Sequence, residues 1–571
     1  MTKQEKYPLP QARENGLRYL EKDQVILLTK QRDDGSEIEV QISTPFGVLA
    51  RLRRADEDDS SGLRLRVRGM GGSDREVDIA RRHLTRNSGQ DIKSLLFDLG
   101  MRTFRGGEKN VIYYLKAVDP EKEIVVVSRR GWHQFGKPTF VAPTGEVFGA
   151  KSGTSIELEI GTQSEAKGSV TGWKSSIEAV AQVSGIQHWQ IAAASSFAGT
   201  IAELCKLGTC GVHFSGMTSR GKTIALKIAA SAWSNPETGQ GLLSLWRSTD
   251  NAFEATASAS NGTVMALDEV KLADGKMVAS TLFQLTSGTS KSRSNLKQTL
   301  QDRLTWTTFV LSSGEQSLKE KVLSDKGKWL PGMSVRFTDI DVTEINSHVD
   351  KSIIDKILAG IQGNFGCAGP AFVEALIKSG VHENPDELRH RIQETSNRLI
   401  GSSNSEGSLQ RAALPLSLIQ VAGEMAQEFG VLPKYDLAAA IHWAWDRYLK
   451  SSDAASLDPD QNCIDALRDW IARNWEVSLK NLELPSSGFR QADGWFNYDC
   501  VYILADQIVD AVGIGLKRAE IARILDRNGI LTLTDSDRKT YRRVPGMPGV
   551  TVFALDRAQM GPRIEDYSED P

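Results

Sequence analysis

The chain has 571 residues, and at 100 to 200 residues per compact domain that length suggests roughly three to five domains. Lys and Arg number 69 against 72 Asp and Glu, a formal charge of −3, which excludes a histone-like polycation coating nucleic acid with its whole surface. Forty per cent apolar and 25% charged residues exclude a mainly disordered chain.

Five cysteines, Cys205, Cys210, Cys367, Cys463 and Cys500, include one CxxxxC spacing that matches no common zinc site, so they read as buried free thiols of a reducing compartment. The first residues, MTKQEKYPLPQARENG, lack the apolar core of a signal peptide, and a cytoplasmic protein without a membrane partner is expected. The segment Ala179 to Ala202 has no Asp, Glu, Lys or Arg, but Gln182, Gln187, His188 and Gln190 make it a buried helix rather than a membrane span.

In chain order, residues 1–22 are a polar start, and 23–165 form an α+β module. Its strands are predicted at 24–30, 37–42, 47–54 and 63–69, its helices at 88–101 and 108–118, and strands return at 122–132. Residues 166–345 alternate strand and helix, the pattern of a parallel sheet covered by helices, with strands at 210–215, 241–246, 263–268, 306–312 and 335–340. Residues 346–480 are helical by spacing, clearest at 414–430 and 435–449. In 481–560 a helix at 519–529, stopped by Gly529, precedes ILTLT, KTYRRV and VTVFAL, an order like the second half of a winged helix, and 561–571 is a tail.

Residues 216–223, GMTSRGKT, satisfy the phosphate-loop pattern G-x-x-x-x-G-K-[ST] between a strand, CGVHFS, and a helix, IALKIAASAW. Gly216, Met217, Thr218, Ser219, Arg220, Gly221, Lys222 and Thr223 would cradle the phosphates of ATP with backbone N–H groups at a helix N-terminus. Lys222 would reach the β- and γ-phosphates, and the Thr223 hydroxyl would ligate Mg²⁺. The competing reading is a glycine-rich turn before a buried helix.

TVMALDE ends an apolar strand in two acids. Asp268 would serve Mg²⁺ through water and Glu269 would orient or deprotonate the attacking water, although strands often end in acids for no catalytic reason. LLSLW lies between the two motif strands in sequence, which suggests the additional-strand type of sheet with a catalytic glutamate. Ser312 or Ser313, at the end of WTTFVLSS, would lie beside the γ-phosphate as a sensor, or cap the next helix as part of SSGEQSL. Arg336 is either a solvated charge or an arginine finger supplied to a neighbouring subunit. His188, His213 and His442 lie in apolar segments and read as packed core histidines. Trp443 and Trp445 read as helix packing.

RRGW at 129–132, GMTSRGKT, LWRSTDNAFE at 245–254, MALDE, LSSGEQSL, VRFTDI and FGCAGPAF at 365–372 together resemble the bacterial P-loop family known as domain of unknown function 927. The resemblance covers roughly residues 20 to 480. It implies an AAA+ core similar to the self-loading, MCM-like helicases of staphylococcal cassettes, which act as hexameric rings on DNA and are often linked to primases. Lys222, Thr223, Asp268 and Glu269 match that pattern, and Ser313 and Arg336 occupy sensor and finger positions. No primase motif stands in the first 170 residues; Arg389, Arg391 and Arg398 are candidates for a second sensor.

Two basic segments would meet DNA, single-stranded or forked. Residues 288–303 carry Lys291, Arg293, Lys297 and Arg303 against Asp302, where MCM-like rings hold a pore hairpin; a solvated helix face is the alternative, and Arg293 is a second candidate for the finger. Arg538, Lys539, Arg542 and Arg543 surround Tyr541 in the expected wing, where they reach phosphates or protect a sheet edge. The function expected is an ATP-dependent, ring-forming DNA helicase or translocase of a mobile element or prophage; the alternative is an ATP-regulated DNA-binding loader that does not unwind processively.

Overall fold

The computed structural model describes the chain except residues 1–5, 12–16, 21–24, 33, 56–59, 70, 105, 160–162, 248–249, 291–303, 346–348, 402–406, 452–456, 458, 484–491, 514–515, 533–541, 545–549 and 563–571. It divides into two compact units, residues 1–404 with 410–447, and residues 405–409 with 448–571.

The first unit opens with an antiparallel sheet of β1 (Leu17–Leu20), β2 (Val25–Gln31) and β3 (Glu37–Ser43). Next comes a five-stranded sheet, in which β4 (Phe46–Arg54), β5 (Ser60–Arg68) and β6 (Asp74–Ala80) continue through β7 (Glu123–Val127) to β11 (Ile156–Leu158), in the order β11-β7-β4-β5-β6. A small sheet of β8 (Gly131–Gln134), β9 (Pro138–Val141) and β10 (Val147–Phe148) lies beside it in sequence. Alternation along β4 and β5 gives the five-stranded sheet one face of Val48, Leu63, Leu65 and Val67. Against these pack Leu84 of α1 (Arg81–Thr85), Ile92 and Leu96 of α2 (Gln90–Asp98), and Val111, Ile112 and Leu115 of α3 (Gly107–Ala117). The strands β1 and β6 were not predicted from the sequence: LRYL is only four residues long, and DREVDIA is mostly charged.

The apolar stretch before the phosphate loop is not one helix. It contains the end of α4 (Val170–Gln182), all of α5 (Gln187–Ser195) and the start of α6 (Ala198–Leu204). Among the described residues no helix is long and apolar enough to cross a membrane.

The central sheet is parallel throughout: β12 (Cys210–Ser215), β13 (Leu243–Leu245), β14 (Val264–Asp268), β15 (Phe309–Ser313) and β16 (Phe337–Asp341). Every residue of β12, β14 and β15 is buried, as expected for strands covered on both faces. Their order is β13-β14-β15-β12-β16. LLSLW therefore contributes an edge strand, and β15 is the one inserted between the phosphate-loop strand and the acid strand. The N-terminal module is fastened to this core through Glu203 of α6, whose side chain is only 8% exposed and accepts from Arg129 (2.6 Å), the Trp132 N–H (2.9 Å) and Asn261 (2.7 Å).

Helices Lys351–Gly363, Ala368–Lys378, Pro385–Ile400, Gly407–Glu428 and Leu437–Leu449 follow. The first packs on α4, whose N-terminus is tied to it by Ser169 N–H donating to Asn364 (3.0 Å). His442 is exposed rather than packed in a core, whereas Trp445 is buried and Trp443 lies under the Arg447 guanidinium at 4.9 Å. The cysteines are free, and four of the five are buried.

The second unit contains a five-stranded sheet, Leu479–Asn481, Gly494–Phe496, Cys500–Leu504, Thr551–Asp556 and Arg542–Arg543 in spatial order. Helix Pro459–Asn474, the last of the expected helical region, belongs to its core through Cys463, Ile464, Leu467 and Ile471. Helix Arg518–Arg527 precedes the antiparallel pair Arg542–Arg543 with Thr551–Asp556, as the sequence suggested. However, ILTLT contributes only an isolated bridge, Leu531 to Leu555, among the described residues. Three strands not anticipated from the sequence enlarge the sheet beyond a simple hairpin.

Candidate nucleotide-binding site

Parallel strands bring their C-terminal ends to one edge of the central sheet, where β12, β14 and β15 lead into a cleft of about 540 Å³. Its lining includes Thr218 to Ile224, Asp268, Glu269, Ser313, Gly314 and Glu315. These residues are remote in sequence and the sheet alone brings them together.

The loop after β12 needs glycine at two points. Gly216 has φ +135° and Gly221 has φ +72°, and a Cβ on Gly221 would stand 2.6 Å from the Trp189 ring. Gly221 caps α7 (Lys222–Ser231), whose first turn presents Lys222 and Thr223 to the cleft. The Lys222 ammonium donates to the carbonyls of Gly216 (2.6 Å) and Met217 (2.7 Å). Burial holds it below the usual lysine range, opposed by the charges of Glu315, Glu269 and Asp268.

Asp268 is buried at 5% exposure, accepts from the Ser313 hydroxyl, and also accepts the Glu269 N–H at 3.1 Å. Glu269 follows with φ +61°, a left-handed conformation that is uncommon for any residue but glycine. Its carboxylate lies 3.4 Å from the Lys271 ammonium, which is 3.2 Å from Glu315. These two acids, Glu315 more than Glu269, raise the Lys271 pKa.

The two serines of β15 separate by strand alternation. Ser313 faces Asp268 and the cleft. Ser312 faces the other way, accepting from the Trp246 indole (2.9 Å) and bonded to His213 Nδ1 (2.8 Å). The capping role predicted for SSGEQSL belongs to Ser317, whose capping box with Glu320 starts helix Leu318–Ser324.

Arg336 does not line this cleft. It sits before β16, at the opposite end of the sheet, exposed, and donates to the Thr286 carbonyl at 3.0 Å. The candidates for a second sensor also lie elsewhere: Arg389 bonds Cys205 O, Arg391 bonds Glu424, and Arg398 bonds Thr395. Lys291, Arg293, Lys297, Arg303, Arg538 and Lys539 lie outside the described residues; Arg542 and Arg543 form the strand that pairs with Val552 and Thr551.

Sequence reasoning missed four residues here. His188, which the sequence marks only as a core histidine, bonds through Nε2 to the Arg220 carbonyl at 2.9 Å. Trp189 donates its indole N–H to the Gly221 carbonyl at 2.9 Å, so α5 grips the phosphate loop from behind. Lys271 and Glu315 were the others. The signal for Glu315 was its place two residues after Ser313; no pattern marks Trp189.

The family described as Domain of unknown function (DUF927) matches residues 19–304, just over half of the chain. The chain belongs to the DUF927 family. The DUF927 match contains the phosphate loop, Asp268 and Glu269 and ends before Ser313 and Arg336. A solved chain described as "SCCmec type IV Cch - active helicase" is similar over 96% of this chain and 99% of its own length, with a TM-score of 0.71 at 17% identity, which shows a shared fold. No curated protein matches the chain.

Proposed function

We propose that this DUF927 protein is an ATP-dependent, ring-forming DNA helicase or translocase serving the replication of a mobile element or prophage. The observation that carries the reading is the cleft itself, in which a glycine-rich loop, its lysine and threonine, a buried aspartate and an adjacent glutamate converge. The inserted strand β15 fits the additional-strand, catalytic-glutamate arrangement of AAA+ ATPases. The likeness to a solved chain described as an active helicase supports a motor over a switch.

In this mechanism Lys222 exchanges the Gly216 and Met217 carbonyls for the β- and γ-phosphates of ATP. The donor set suits Mg²⁺: one buried carboxylate, Asp268, and one hydroxyl, Thr223, with phosphate and water oxygens completing a hard cation's shell. Among the described residues no group of three His, Cys, Asp or Glu offers an all-protein metal cage. When bound, the ion neutralises charge on the phosphates. Glu269 orients water for in-line attack and accepts its proton; Lys271 must first release that carboxylate. Ser313 reports the occupied cleft to Asp268. Arg336, exposed and away from its own cleft, would serve the neighbouring subunit of a hexamer. DNA would be held by Lys291, Arg293 and Lys297 in the pore and by Arg538, Lys539, Arg542 and Arg543 in a winged-helix-like end. A primase is a fitting partner for such a motor.

The test is the ATPase rate with and without single-stranded DNA, read with particle mass in a non-hydrolysable ATP analogue. DNA-stimulated turnover by a ring is expected. Lys222→Ala abolishes it, and Glu269→Gln binds ATP without hydrolysing it. Turnover indifferent to DNA, or retained in Glu269→Gln, would sink the mechanism. Strand displacement from a forked duplex separates a helicase from the alternative, a DNA-binding loader that hydrolyses slowly without unwinding.

A further inference from the structure

The helical layer of the N-terminal module is strongly basic in a chain that is slightly acidic. Between Arg81 and Ala117 stand eight Lys and Arg against three Asp and Glu. On α3 the helical period divides the residues sharply: Val111, Ile112, Tyr114 and Leu115 face the sheet, and Lys109, Tyr113 and Lys116 face solvent at i, i+4 and i+7. The two adjacent tyrosines have opposite fates. Tyr114 is 1% exposed and donates to the Pro10 carbonyl, whereas Tyr113 is 72% exposed.

The arginines of the five-stranded sheet are largely neutralised by acids on or next to neighbouring strands. Arg51 pairs with Glu123, Arg54 with Glu159, Arg64 with Asp78 and Arg66 with Glu76. Lys93, Lys109, Lys116 and Arg102, all from the helical layer, make no side-chain ion pair among the described residues. Arg81 holds the layer together by donating to the Lys116 carbonyl, which fixes the end of α3 that carries Lys116. Unneutralised cations on a rigid layer, with an exposed ring among them, complement a polyanion with open aromatic faces.

We infer that the outer face of α1 to α3 binds single-stranded nucleic acid, with Lys109 and Lys116 on phosphates and Tyr113 stacked on a base. A single strand fits better than a duplex because its bases are open to stacking, while a duplex would leave the ring unused. The inference shares with the proposed function only the choice of nucleic acid as partner, and it adds a third contact site, outside the central sheet and the C-terminal unit.

The test uses the full chain and a labelled single-stranded oligothymidine, with affinity followed by fluorescence anisotropy across a salt series and without ATP. Lys109→Glu with Lys116→Glu should weaken binding about 10-fold or more and lower the slope of log affinity against log salt by about 1.4, at about 0.7 per phosphate contact. Tyr113→Ala should cost about 5-fold or more, while Tyr113→Phe, which keeps the stacking face, stays near wild type. Titration with a fluorescent ATP analogue checks that the variants are folded. Wild-type affinity and salt slope in both the double variant and Tyr113→Ala overturn the inference, as does binding of duplex but not single strand. If the variants lose the strand and the wild type hydrolyses no ATP, the surface stands and the motor falls. DNA-stimulated hydrolysis with unaltered binding in the variants gives the reverse result.

Discussion

Two fully buried histidines next to the cleft make stability dependent on acid in a calculable way. A carbonyl can only accept, so the bond from His188 to the Arg220 carbonyl places the proton on Nε2 and leaves Nδ1 bare and without a partner. His213 is likewise protonated at Nε2, which faces the Gln316 carbonyl at 3.0 Å, and its Nδ1 accepts from Ser312. Burial pushes these imidazoles down from 6.5 to about 3 and about 4, respectively. Groups with depressed folded pKa values bind protons more readily unfolded, so their contribution is complete above 6.5 and is lost as pH falls through 6.5 toward the folded values. At about pH 5 each unfolded ring gains about 2 kcal/mol from a proton that the folded ring refuses, and the pair gains about 4 kcal/mol. That is a large fraction of ordinary domain stability, about 5 to 15 kcal/mol. Urea unfolding followed by tryptophan fluorescence, at steps from about pH 7.5 to about pH 5, should register the loss before most carboxylates titrate. His188→Gln, whose amide can still donate to the Arg220 carbonyl, should remove about half of it. A flat profile, or the same fall after replacing both histidines, would refute the reasoning.

Gly221→Ala forces a side chain to φ +72° and into the Trp189 ring; nucleotide affinity should fall at least about 10-fold by fluorescent-analogue titration, and wild-type affinity would deny the loop its strained cap. Lys271→Ala frees Glu269 and Glu315 from their shared cation, and should raise ATP turnover at low DNA concentration; a fall would make Lys271 a contributor to hydrolysis rather than a restraint. Glu203→Ala removes the acceptor shared by Arg129, Trp132 and Asn261 and should destabilise the first unit by about 3 to 5 kcal/mol in chemical denaturation; a loss under about 1 kcal/mol would mean water replaces the carboxylate.

The central sheet was legible because its strands are short apolar runs between turn residues, and CGVHFS begins and ends where the sequence placed it. An additional strand was expected from the sequence, but which strand takes the inserted place was not legible. Nothing in LLSLW says that it closes an edge, or in FVLSS that it enters between the phosphate-loop strand and the acid strand; that depends on packing between elements remote in sequence. Lys222, Thr223, Asp268 and Glu269 were legible as two local motifs, and the sheet brings both to one cleft. Choosing between Ser312 and Ser313 needed the strand's alternation. Trp189 and Lys271 escaped because each acts through one polar atom on a partner fixed only by the fold. His442, apolar in its sequence neighbourhood, falls on the solvent side of its helix.

The ring donors of α5 settle more than the position of the phosphate loop. A trans peptide is planar, with its C=O and the following N–H pointing in opposite directions. When His188 fixes the Arg220 carbonyl, it therefore aims the Gly221 N–H; when Trp189 fixes the Gly221 carbonyl, it aims the Lys222 N–H. Two aromatic side chains thus act as sights for two backbone dipoles at the start of α7. Those dipoles are set before any anion arrives, so binding need not spend free energy on turning them.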